Sequence, residues 1–341
     1  MIPLPPVLRG EGERELVTVG GLRLSNPLLL APLAGVTIPS IRLFYSRLGA
    51  GGVHTEMVSG AGLLRSNRKT AHMLAALPGE APLILQLFAG DEATLLSGAE
   101  RALEERPFPA LGINMACPMP KVLKKGAGSR LLERPEVAFE MVRSLAALGL
   151  PVWPKIRKCP PSFPFSTEAF CEGLLNAGAA LVTIHGRTPA ARYSGEADRT
   201  IVGSCAALFP EKICASGDVY TPEHAAGYLD QGCAAVMLAR GALADPFLFP
   251  RTLAFLGHDV HNSYRNPSPD FQVQLLLSFG DLISAEEGQK KAVLFLKRLL
   301  AGMFKGERGV GALRRDAASH NSWPELRGLL AEWTGYFERR D

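Results

Sequence analysis

Between residues 27 and 238 the chain repeats one pattern eight times: a short apolar or β-branched run, a polar or glycine-bearing turn, and a stretch with helical spacing. The runs at 27–32, 53–57, 83–88, 110–114, 152–156, 181–185, 212–216 and 234–238 are predicted strands. Helix starts follow them: Asp91 before EATLLSGAERALEE, Pro135 opening PEVAFEMVRSLAALG, and Thr221-Pro222-Glu223. Gly149, Gly178 and Gly232 fall where such helices should stop. Eight strands alternating with helices predict the α/β class, as a parallel (β/α)8 TIM barrel. An open doubly wound sheet is the alternative layout, but it usually carries an early GxGxxG turn, and none follows the first run. Pro154 lies inside the fifth run, where it removes a ladder donor, so a local bulge beside Lys155 is expected.

From about Arg251 the character changes. The stretches FQVQLLLSFGDLI, KKAVLFLKRLLAGMF and LRGLLAEWTGYFE are helical by period, and HNSYRNPSP reads as a turn-rich linker. The expected division is a barrel over 1–255 and a smaller C-terminal helical domain over 256–341. The net charge of +4 says little about partners, but its distribution says more. Residues 289–315 carry eight Lys/Arg (290, 291, 297, 298, 305, 308, 314, 315) against the single acid Glu307. No run approaches the roughly 18 apolar residues that span a membrane, and MIPLPPVLRGEGERE lacks the layout of a signal peptide. A cytoplasmic protein without a membrane partner is therefore expected. The six cysteines show neither CxxC pairing nor disulfide density, and no metal is expected. Most lie in apolar segments; Cys117 stands apart, in the turn INMACPMPK.

In such a barrel the functional groups gather where strands end. Strand placement alone puts Pro32-Leu33-Ala34, Glu56, Gln86, Asn114 through Cys117, Lys155, His185-Gly186-Arg187, Ser216-Gly217-Asp218 and Ala239-Arg240-Gly241 at one mouth. The last two ends are small or glycine-bearing, and loops after the seventh and eighth strands commonly hold phosphate through backbone N–H groups. Lys155 would set a cation against the ring of a phosphate-bearing cofactor, and Gln86 would bond a ring carbonyl and imide edge. That combination suits a reduced flavin, whose negative charge needs a fixed positive partner.

The ordered motifs LAPLAGVT, HTEMVSGAGLLRSNRKT, LQLFAGD, INMACPMPKVLKKGAGSRLL, KIR, ITIHGRT, SGDVYTPE and VMLARGALADPFLF resemble those of the dihydrouridine synthases, over about residues 31–250. KRLLAGMFKGERGVGALRR is similar to that family's C-terminal helical domain. The resemblance implies an enzyme that reduces uridine to dihydrouridine in tRNA, with FMN as cofactor and NADPH as reductant. It implies FMN contacts at Pro32, Leu33, Ala34, Gln86, Lys155, His185, Ser216, Gly217, Asp218, Ala239 and Arg240. Cys117 becomes the general acid: hydride reaches C6 of the uracil, and the thiol gives C5 its proton. A thiol of ordinary pKa, roughly 8.5, is mostly protonated at neutral pH. Asn114 and Arg187 would hold the uracil edge, while Lys121, Lys124, Lys125, Arg130 and the basic tail would face RNA phosphates. A monomer is expected.

The chain departs from the family pattern at Ala116 (usually Gly), Ser216 (Asn), Ala239 (Gly), Ile38 (often Asp) and Lys158-Cys159-Pro160-Pro161 (a Gly–Trp-like turn). A methyl at 239 would be strained if that residue needs positive φ. Two other functions compete: an FMN barrel oxidoreductase acting on a small molecule, and a non-catalytic RNA-binding relative. Truncation near 255 is expected to separate the first of these from an RNA enzyme.

Overall fold

A computed structural model describes Val7 and residues 16–65 and 68–334. Most of the N-terminal stretch weighed against a signal peptide, Ser66-Asn67 of one family motif, and the end of the last helical run beyond 334 lie outside the described residues. The strands are β1 (Val17–Val19), β2 (Leu22–Leu24), β3 (Leu28–Leu30), β4 (Gly52–His54), β5 (Val58–Ser59), β6 (Leu83–Phe88), β7 (Leu111–Met115), β8 (Val152–Arg157), β9 (Val182–His185), β10 (Ile213–Ser216) and β11 (Ala235–Leu238). β1 and β2 form an antiparallel hairpin. The rest are parallel, and β4 pairs with both β3 and β6, which closes the eight-strand ring β3-β4-β6-β7-β8-β9-β10-β11. Each predicted run overlaps one strand of that ring, and the short β5 extends the edge of β6.

Strand alternation sorts the residues into two cores. On β8, Val152 and Ile156 join the large cluster between strands and helices, while Trp153 belongs to a second cluster inside the barrel. β10 and β11 split likewise, with Ala215 and Val236 outside and Cys214, Ala235 and Met237 inside. Lys155 and Arg157 continue the face of Trp153 toward the C-terminal rim. The N-terminal end is closed by the hairpin: Val19 and Leu24 pack into the inner cluster, and Trp153 Nε1 donates to Gly20 O at 2.9 Å. The expected bulge at Lys155 is absent. Pairing runs unbroken through Ile113↔Pro154, Asn114↔Lys155 and Lys155↔Thr183. A missing donor weakens one rung without inserting a residue, so the ladder keeps its register.

Helices from Pro269 onward stack on the outside of the barrel. Phe279 on helix Pro269–Glu287 meets Phe44 on helix Pro39–Arg47 with ring centroids 3.6 Å apart. Helix Gln289–Gly302 ends against the barrel, where a Cβ on Gly302 would stand 2.0 Å from the Ala244 carbonyl oxygen. Both parts share one hydrophobic cluster, from Phe44 and Phe249 to Phe279 and Leu296. The truncation imagined from the sequence would strip cover from Phe44, so it would test folding before it tested function. No helix among the described residues is long and apolar enough to cross a membrane.

Candidate active site

The inward-facing residues at the strand ends meet around one cavity of about 340 Å³. Its wall includes Pro32, Leu33 and Ala34 after β3, Asn114 and Cys117 on and after β7, Lys155 on β8, and His185 at the end of β9. Ser216, Gly217 and Asp218 follow from β10, and Ala239 and Arg240 follow β11. Three expected residues stand outside that wall. Gln86 adjoins it through Asn114, its Oε1 accepting from Asn114 Nδ2 at 2.9 Å. Lys121 is exposed on the short helix Pro120–Leu123 that follows the Cys117 turn. Arg187 is 4 % exposed and spent on the protein.

The use of Arg187 corrects its expected role. Its Nε donates to Ser194 O, Nη1 to Asp218 Oδ1 and toward His185 Nε2, and Nη2 to Asp218 Oδ2 and Gly195 O. All five N–H groups are engaged, so none remains for a uracil edge. Asp218 is equally saturated. It takes both Arg187 bonds, Arg240 Nη2 at 3.0 Å and the Ala197 N–H at 2.8 Å. Burial alone would raise its carboxyl, but the Arg187 and Ala197 hydrogen bonds and the two guanidinium charges outweigh that and hold its pKa below the ordinary value. Asp218 therefore ties the loop after β9 to the loops after β10 and β11.

The wall is strongly cationic. Burial pulls the Lys155 pKa down to about 8, and the Arg157 charge adds to the shift. The Lys155 ammonium has no hydrogen bond or ion pair to any described residue. Arg157, Arg192 and Arg240 share the wall, and its one acid, Asp218, is already consumed. Burial, then Lys155 and the neighbouring arginines, push His185 far down, so its ring is neutral. Its Nε2 faces an Arg187 N–H, which can only donate, so the ring carries its proton on Nδ1. A half-buried, unpartnered ammonium beside three guanidinium groups calls for an anionic ligand.

Cys117 sits on a fully tied turn. Its N–H donates to Asn114 Oδ1 at 2.9 Å, and its carbonyl accepts from Ser129 N at 3.0 Å. The carbonyl of Ala116 accepts from Arg157 Nε at 2.9 Å. Gly128, at φ 64°, lets the following segment close on this turn, since a Cβ there would stand 2.5 Å from Cys117 O. Cys117 is part-exposed, whereas the other five cysteines are at most 5 % exposed or fully buried. Burial pushes the thiols of Cys159, Cys214 and Cys233 up to about 12.

Opposite this turn, Gly217 and Asp218 take consecutive positive φ values of 117° and 49°. Their N–H groups find no acceptor among the described residues. Ala239 adopts φ −128°, so the alanine there carries no left-handed strain. Ile38 caps helix Pro39–Arg47 without a side-chain hydrogen bond and is buried instead. Glu56 accepts from the Gly35 N–H in the loop after β3 and makes no ion pair among the described residues. The sequence reading missed Arg157, Arg192, Tyr193 and Tyr220, all in the wall. Arg157 was findable, two residues beyond Lys155 on the same strand face. The tyrosines lie in irregular loops, where Arg240 packs against the ring of Tyr193 at 4.5 Å and of Tyr220 at 5.8 Å.

Fold and site together define a (β/α)8 barrel enzyme with a cationic mouth and one thiol held at its rim. The model of the dihydrouridine synthase family matches residues 29–329, across the barrel and into the C-terminal helices, and the chain belongs to that family. A protein named "Probable tRNA-dihydrouridine synthase" from Treponema pallidum is 29% identical over 329 residues, covering 93% of this chain and 95% of that one. "Probable tRNA-dihydrouridine synthase 1" of Synechocystis sp. is 31% identical over 316 residues, with 92% and 87% covered. The tRNA-dihydrouridine synthase B of Pseudomonas aeruginosa is 32% identical over 270 residues, with 79% and 81% covered. In fold the chain is similar to morphinone reductase, at a TM-score of 0.52 and 14% identity over 75% of this chain and 94% of that one.

Proposed function

We propose that this protein reduces uridine to 5,6-dihydrouridine in tRNA, with FMN as cofactor, NADPH as reductant and Cys117 as proton donor. One observation carries the reading. The part-exposed thiol of Cys117 and the unpartnered Lys155 ammonium line the same cavity. The site fits FMN in size, since about 340 Å³ lies within the roughly 300–1,000 Å³ of small-molecule pockets. It fits in chemistry too, with an orphan cation for an anionic ring and free N–H groups at Gly217 and Asp218 for a phosphate.

In this reading Lys155 and neutral His185 border the ring, Pro32-Leu33-Ala34 give it a backbone edge, and Gln86 supplies a donor. Ser216, Gly217, Asp218, Ala239 and Arg240 hold the ribityl phosphate, Asp218 through its N–H because its carboxylate is saturated. When bound, FMN supplies the hydride that uracil C6 receives. Cys117 Sγ–H gives C5 its proton, and the tied turn holds that sulfur in place. Donors beside the Cys117 turn for the uracil edge include Arg157 Nη2 and the second Asn114 Nδ2 proton, which rests on Met57 sulfur at 3.6 Å. Lys121 and its exposed neighbours Lys124 and Lys125, with Lys290, Arg298, Lys305, Arg308 and Arg315, are exposed cations for RNA phosphates. With the division at 255/256, the barrel carries the chemistry and the helical unit orients the RNA, as a monomer in the cytoplasm.

The test is mass spectrometry of tRNA incubated with protein, FMN and NADPH, repeated with Cys117→Ala. Dihydrouridine should appear with the wild-type protein and nearly vanish with the variant, while NADPH oxidation persists. Full product from Cys117→Ala refutes the acid. Reduction of a free small enone with no RNA product would move the protein to small-molecule chemistry.

A further inference from the structure

Cys117 is linked to Gln86 by hydrogen bonds that run in one direction. The N–H groups of Cys117 and Ala116 lie 2.9 and 3.2 Å from Asn114 Oδ1. A backbone N–H only donates, so the facing atom must be the amide oxygen, and the Asn114 amide cannot be turned over. Its Nδ2 then faces Gln86 at 2.9 Å, which makes the Gln86 atom there its oxygen. Gln86 Nε2 is left with two N–H groups and no acceptor among the described residues, on a side chain 1 % exposed. The backbone N–H of Gln86 is itself anchored on Thr55 Oγ1 at 2.9 Å, which fixes where the amide starts. Ser40 Oγ and Thr252 Oγ1 are the fully enclosed unpartnered side-chain atoms among the described residues, so Gln86 Nε2, which also has no partner, keeps an open side where a ligand can complete it.

We propose that Gln86 and Asn114 form a one-way hydrogen-bond relay that couples the cofactor ring to the turn carrying Cys117. Gln86 is then a positioning residue for the acid. A ring carbonyl accepts from Gln86 Nε2, Gln86 Oε1 accepts from Asn114, and Asn114 Oδ1 accepts from the two N–H groups of the turn. This rests on the FMN reading above. It also narrows the expected Gln86 contact: the amide donates to a carbonyl, and its oxygen is directed to Asn114 instead of an imide N–H.

The native protein supplies its own probe, because the five other cysteines are at most 5 % exposed and iodoacetamide under native conditions reads Cys117. Alkylation of Cys117, followed by mass spectrometry in cofactor-free protein, should speed up several-fold in Gln86→Met and more in Asn114→Ala. The double variant should label no faster than Asn114→Ala alone, because Gln86 reaches the turn through Asn114. Additive effects in that cycle would overturn the relay. Asn114→Asp covers the case in which those changes unfold the barrel. A carboxylate still accepts from both turn N–H groups and its charge disfavours the thiolate, so labelling should not speed up. Gln86 must then turn its amide over to donate to that carboxylate, presenting oxygen to the ring, and FMN affinity should fall about tenfold, the size of one lost hydrogen bond. Unchanged affinity in Asn114→Asp also overturns the relay. Wild-type protein that binds no FMN would instead sink the functional reading, and the labelling cycle would still decide the link between Gln86 and the turn.

Discussion

The two ends of the barrel interior are built from the same strands and behave as opposites. At the N-terminal end Trp153, Ile84, Leu181 and Ala235 fill the space with apolar atoms beneath a hairpin. Two residues further along β8, Lys155 is an unpaired ammonium, and two further still Arg157 bridges the Cys117 turn to the carbonyls of Thr188 and Arg192. The lower end is packed for stability. The upper end tolerates desolvated charge, which the fold accepts because a ligand will use it.

Breaking the lower end should give the largest effect. Trp153→Ala removes a buried indole and its bond to Gly20 O, and should cost about 3–5 kcal/mol. Thermal melting would register this as a fall of several degrees, and an unchanged midpoint would show that the hairpin does not close the barrel. The upper end should respond in the opposite sense. Cys117→Ala should slow dihydrouridine formation by about 10²–10⁴-fold with the melting curve almost unmoved. Asp218→Asn should loosen the clamp on Arg187 and Arg240, destabilising by roughly 1–3 kcal/mol and weakening FMN binding in a fluorescence titration.

Lys155→Met sharpens the contrast, because it should raise stability while lowering FMN affinity. The folded protein releases the Lys155 proton near pH 8, whereas an unfolded chain holds it to about 10.5. Between those values the unfolded state binds more protons, so folding stability from this group rises with pH. Urea melts from pH 7 to 10 should show that rise in the wild type and a flatter profile in the variant. The smallest effect is expected from Ser216→Asn, which restores the residue usual in the family at a strand end already in the cavity wall and should tighten FMN binding by a fewfold at most.

The strand repeat made the ring legible, because alternation and spacing follow from burial on two faces. Period two also placed Lys155 at the mouth and could have placed Arg157. Hydrogen-bond assignments were not legible. That Arg187 is spent on Asp218, or that Asn114 serves the turn, depends on loops from distant strands meeting, and no local pattern encodes their meeting. Pro154 misled for a related reason: the sequence registers the lost donor, but whether the ladder absorbs it is decided by the neighbours on both sides.

The contact between Phe44 and Phe279, with the seat of Gly302 against Ala244, has an evolutionary consequence. A tail that shares its core with the catalytic unit is not a detachable module. To be exchanged between relatives it must travel with a matching face of helix Pro39–Arg47, so target choice and barrel packing are expected to drift together. Where Gly302 seats against Ala244 there is no room for a side chain, so the placement of helix Gln289–Gly302 on the barrel is a property of side-chain volume. A single methyl group there would force one surface to shift against the other, because its carbon would stand 2.0 Å from the Ala244 carbonyl oxygen.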